Sequence, residues 1–169
     1  MKTAAFLLLI GLLLLTFQAT LLSFPFIQRI RPDLILIFVL FLGLFYTPVS
    51  GGIIAFLLGF LMDLYSGNSL GLHTLSRTLI FYLAQFLRGR LYLEGFSSQF
   101  FFVFLFAVFE AFFILILLKI LSPNPTSHLY PLLFTLFLPR SFFTALLGAV
   151  LFSLVSRGSF QQAGAGEGG

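Results

Sequence analysis

The stretch Gly67-Asn68-Ser69-Leu70-Gly71 has the G-x-S-x-G form of a hydrolase nucleophile elbow, and the chain's two histidines, His73 and His128, are the bases such a serine would need. The elbow works only on a strand–turn–helix corner that presents the hydroxyl. Here the flanking runs are long and apolar, so the setting reads as helix–turn–helix and the Gly, Asn and Ser as its turn. An intramembrane serine protease would set the serine at a helix start and the histidine on another helix. His73 instead follows Ser69 on the same helix, and His128 lies in the loop before the last apolar run. Asp63, His73, Glu110 and His128 show no ligand spacing on one element, which leaves no metal site. The absence of cysteine excludes disulfides and thiol chemistry, and no Walker or dinucleotide pattern is present. No catalytic residue, metal or cofactor is assigned, and the chain reads as a non-enzyme.

The informative polar residues are charges in apolar surroundings. Asp63 stands between Phe60-Leu61-Met62 and Leu64-Tyr65, and Arg77, Glu110 and Arg140 fall inside other apolar runs. A charge at membrane depth costs at least a few kcal/mol, roughly, unless it is paired or hydrated. Gly51, Ala55, Gly59 and Asp63 are spaced by four, which puts them on one helix face. Small residues on such a face let a second backbone come close. The spacing runs on to Gly67 and Gly71, in or beyond the turn. The partners expected for Asp63 are the free N–H groups opening the next helix, His73 or Arg77. The four buried charges balance if Asp63 pairs with Arg77 and Glu110 with Arg140. The other reading is a polar cavity for a ligand near Glu110 and Arg140, with Pro139 kinking the last helix.

The elements that must position these residues follow from composition. Of 169 residues 60% are hydrophobic and 8% charged, too few charges to cover a soluble domain. The chain is expected to be an all-α integral membrane protein of about six transmembrane helices in one bundle. The expected spans are 3–24, 33–46, 50–65, 70–88, 98–121 and 129–156, within a domain of residues 1–157. The Gly-rich stretch 158–169 is expected to be a disordered tail. The first run is too long for a signal-peptide core and reads as a retained span. The second and third runs are short; the alternative to crossing is a re-entrant hairpin covered by protein. Asn68 or Ser69 is the expected cap of the fourth helix. The net charge of +4 comes without a basic cluster, so membrane loops rather than nucleic acid explain it. Six spans put Lys2, Arg88, Arg90 and Arg157 on one side and Arg29, Arg31 and Lys119 on the other, which leaves orientation open on charge alone.

RPDLILIFVLF (31–41) followed by GGIIAFLLGFLMDLYSGNSLGLHTLSRTLIFYL (51–83) resembles the bacterial rod shape-determining MreD family. That family carries a G-x-x-x-D-x-x-x-G-x-x-x-G pattern, which falls here on Gly59, Asp63, Gly67 and Gly71. The Pro32-Asp33 step before the second run also fits. The resemblance implies a subunit of the cell-wall elongation complex that binds MreC directly. Through MreC it would work alongside MreB, the glycosyltransferase RodA and its penicillin-binding transpeptidase. It implies a fold similar to the substrate-binding component of ECF-type vitamin transporters. It also implies an inner-membrane location with both termini cytoplasmic. On this reading Gly51, Ala55 and Gly59 make a close helix contact within the bundle or with the MreC helix, and Asp63, Gly67 and Gly71 set the hairpin. The alternative function is a transporter-like protein binding a small solute or lipid.

Overall fold

The computed structural model describes residues 2–21, 32–66, 71–89, 95–121 and 138–164. These form six α-helices and no strand among the described residues: α1 (Lys2–Leu21), α2 (Leu34–Phe45), α3 (Pro48–Ser66), α4 (Leu72–Leu87), α5 (Phe96–Leu121) and α6 (Leu138–Gly164). Of these, α3 and α5 are long and apolar enough to cross a membrane.

The centre of the assembly is α2, which packs against each of the other five helices. Its sequence, LILIFVLFLGLF, is apolar all round, as a helix must be to be buried on every side. Ile35, Leu36, Val39, Leu40 and Leu42 are all sealed from the surface. Asp33 starts this helix, its Oδ1 accepting from Leu36 N at 3.0 Å. Twelve residues rise about 18 Å, against a hydrocarbon core of about 30 Å. The helix by itself is therefore shorter than that core, and it depends on its neighbours for cover.

A tight link joins α2 to α3. Tyr46 N closes the end of α2 on Leu42 O at 2.9 Å, and Gly51 N bonds Thr47 O at 3.0 Å. Pro48 takes the first helical position of α3, where a missing N–H costs nothing. The carbonyl of Tyr46 accepts from Arg88 Nη1 at 3.0 Å, so α4 ends against the same link. With 19 residues, α3 is longer than the 50–65 run read from sequence. It pairs with α4 along its small-residue face, while α6 lies along α5.

Two boundaries differ from expectation. The described part of the last helix begins at Leu138, one residue before Pro139. Residues 129–137 of the expected span lie outside the described residues. The backbone of α6 continues to Gly164, past residue 158 where the tail was expected to begin.

Candidate functional site

The polar residues gather toward one end of the bundle, where α2, α4 and α6 begin and α3 ends, in two adjoining groups. The first surrounds Asp63, which is 2% exposed. Its Oδ2 accepts from Gly71 N at 3.0 Å, Thr74 N at 2.9 Å and Thr74 Oγ1 at 2.6 Å. Its Oδ1 accepts from His73 N at 2.8 Å. These are the orphan donors of the first turn of α4. The helix has no cap of its own, because Gly71 has no side chain. Gly71 has φ +102°, a left-handed conformation that glycine adopts without strain. The carboxylate thus caps α4 from α3, where it also faces the positive end of the helix dipole. Asn68 and Ser69, the caps expected from sequence, lie outside the described residues, as does Gly67.

What brings α3 close enough is the small-residue face. A β-carbon built on Gly59 would fall 2.7 Å from Thr74 Cα and 2.8 Å from His73 O. One on Gly51 would fall 2.6 Å from the Phe81 ring. Ala55, between them, is fully buried. The face expected to meet another backbone meets α4 of the same chain.

The second group is ionic. Arg77, fully buried, sends Nη2 to Asp33 Oδ2 at 2.5 Å and Nη1 to Glu110 Oε1 at 3.0 Å. Arg140 Nη2 reaches the same Asp33 oxygen at 2.6 Å. Ser76 Oγ also donates to Glu110 Oε1, at 3.4 Å. Thr144 Oγ1 accepts from Asp33 N at 3.0 Å and donates to Arg140 O at 2.7 Å. Two carboxylates and two guanidiniums from α4, α5, α6 and the start of α2 form one neutral cluster.

This corrects the expected pairings. Asp63 does not pair with Arg77, and Glu110 does not pair with Arg140. Arg77 bridges Glu110 to Asp33, and Arg140 joins the same Asp33. Asp33 was read only as part of the Pro32-Asp33 step, yet it is the residue on which the cluster turns. The available signal was the shortness of the second run, which draws its first residue into the bundle.

Beside the cluster, Asp33, Glu110, Arg140, Ser141 and Thr144 border a cavity of about 20 Å³. That is room for about one water molecule and none for a vitamin-sized solute. Among the described residues no His, Cys, Asp and Glu cluster could hold a metal ion. His73 has its amide on Asp63 and its Nδ1 buried without a partner. The Ser76 hydroxyl donates to the His73 backbone carbonyl at 3.3 Å, and Ser69 and His128 lie outside the described residues.

A family model described as rod shape-determining protein MreD matches residues 1–157. No curated protein matches the chain, and no solved structure does.

Proposed function

The chain belongs to the rod shape-determining protein MreD family, and from that premise we propose that it is a non-enzymatic inner-membrane subunit that binds and positions MreC in the cell-wall elongation complex. The family is a shape-determining one and not a known enzyme family. MreB, RodA and its transpeptidase are then indirect partners. The observation that carries the reading is the family match over residues 1–157, which takes in all the spans proposed for the chain.

The reading includes six crossings over residues 1–157, with both termini cytoplasmic. The helices support it in kind: their outward surfaces are largely apolar, and Asp63, Arg77 and Glu110 are buried. Ile53, Phe56 and Phe60 of α3 and Phe101, Leu105 and Phe112 of α5 face outward, as residues solvated by lipid do. The Gly51/Ala55/Gly59 face is assigned to the α3–α4 hairpin, because α4 occupies it. Asp63 and Gly71 are assigned to the same hairpin, and MreC is assigned a surface outside it. Solute binding of the transporter type is not favoured, since the space at Glu110 and Arg140 is only about 20 Å³.

The test is co-expression with MreC from the same genome, gentle solubilisation and native mass spectrometry. A complex of defined mass is expected, and it also gives the stoichiometry. A chain that emerges alone, folded and without MreC, overturns the proposal.

A further inference from the structure

The ionic cluster is lopsided. Asp33 accepts from three N–H groups, those of Leu36, Arg77 and Arg140. Glu110 has one cation, Arg77, and the long contact from Ser76. The two arginines differ as well, with Arg77 fully buried and the Arg140 side chain 33% exposed. The water-sized cavity touches Glu110 and Arg140 together. Among the described residues Glu110 is therefore the carboxylate held by a single cation, and it borders a cavity of water size.

We propose that Glu110 is a proton-operated latch between α4 and α5. A proton delivered through the cavity water to the Glu110 carboxylate makes it a neutral acid. The carboxylate gains the O–H bond that a hydronium ion gives up, its ion pair with the Arg77 guanidinium is lost, and no other covalent bond changes. The cluster is left with two guanidiniums and one carboxylate. Arg77 stays on Asp33, its shorter contact at 2.5 Å. Arg140, already at the cavity mouth, is the surplus cation, and swinging outward relieves the excess charge. One proton thus loosens Glu110 from α4 and Arg140 from the start of α2. The charged groups facing Glu110 are Arg77 on α4, Asp33 before α2 and Arg140 on α6. Asp63 of α3 is engaged at the start of α4. Acid releases the latch, and alkaline conditions hold it. The device goes beyond MreC binding and stands without it.

The chain has no cysteine, so two spin labels can be placed without background. Leu75 on α4 and Phe112 on α5 are 56% and 61% exposed, and labels there leave the cluster intact. Leu75→Cys and Phe112→Cys are introduced into the full chain, which is placed in lipid nanodiscs. The inter-label distance is read by double electron–electron resonance in alkaline and in acidic buffer. The expected result is a shift to longer distances in acid. Adding Glu110→Gln is expected to give the longer distances in both buffers. An unchanged distribution with Glu110 intact overturns the latch, and that comparison does not depend on the Gln variant folding. A pH response that persists in Glu110→Gln also overturns it, because another group would then carry the proton.

Discussion

Asp63 and Asp33 are equally buried, each 2% exposed, and lie toward the same end of the bundle, yet they are neutralised in different ways. Asp63 takes three backbone N–H groups and a hydroxyl and, among the described residues, no cation. Asp33 takes one N–H on its side chain and two arginines. The donors to Asp63 lie 8 to 11 residues away along the chain. The arginines on Asp33 are 44 and 107 residues away. The first arrangement builds a hairpin. The second ties α4 of that hairpin to the start of α2 and to α5, and the start of α2 in turn to α6. A carboxylate bonded to a helix start is fixed in direction by the backbone, whereas one bonded to arginines depends on side chains that can be exchanged or moved.

That difference also decides what the sequence could reveal. The spacing Gly51/Ala55/Gly59/Asp63 and the short turn after it are local. They suffice to place Asp63 beside the opening N–H groups of α4, one of the partners expected for it. Helical periodicity says which face a residue is on but not which helix covers that face. The partners of Glu110 and Arg140 therefore depended on packing that no local pattern records. Charge balance alone allowed Asp63–Arg77 and Glu110–Arg140. Backbone donors removed the first pair by leaving Asp63 no need of a cation. Asp33 removed the second by attracting both arginines. It stands as the first residue of the expected second span, and helix propensity carries no information about depth.

The sharpest way to break the comparison is to remove the cation that the ionic group shares. Arg77→Leu leaves Glu110 without its cation and Asp33 with the exposed arginine only. Breaking a buried pair on one side costs about 3–5 kcal/mol. The expected outcome is a chain that no longer elutes as a single folded species from gel filtration in mild detergent. A well-folded Arg77→Leu chain with an unchanged melting temperature would mean that the cluster is not what holds α4, α5 and α6 together.

The next test attacks the hairpin through its packing. In Gly59→Leu the new side chain meets the α4 backbone at Thr74 and His73, and backbone cannot rotate aside as a side chain can. Overpacking costs about 1–3 kcal/mol in general, and the upper end is expected here. A thermal melt in nanodiscs reads it. Gly51→Ala is the gentler counterpart, because the Phe81 ring opposite can give. If the two lower stability equally, close approach at Gly59 is not the feature that matters.

Asp63→Asn addresses the capping group without changing its size. The amide keeps one acceptor and turns two N–H donors toward other donors. Loss of a helix cap costs about 0.5–2 kcal/mol. Fraying at the first turn of α4 is expected, seen as faster hydrogen exchange at His73 and Thr74. Exchange at Leu36, under Asp33, should not change. If protection falls at both places, the two carboxylates are one unit and the distinction between them fails.

The smallest effect is expected at Arg140. Its side chain is 33% exposed, so water or headgroups already share its charge, and such pairs contribute about 1 kcal/mol or less. Arg140→Gln alone is therefore expected to shift stability little. A double-mutant cycle is more decisive than the single change, because it isolates the pair from whatever else each residue does. Asp33→Asn is combined in turn with Arg140→Gln and with Arg77→Gln, and the two coupling energies are compared by thermal unfolding. The coupling to Arg77 should be the larger. Both arginines sit on the same oxygen at nearly the same distance, 2.5 and 2.6 Å, so geometry alone predicts no difference, and burial must supply it. A larger coupling to Arg140 would place the strength of the cluster at its exposed rim. Asp33 would then be anchored chiefly to α6, and Arg77 would serve mainly to neutralise Glu110.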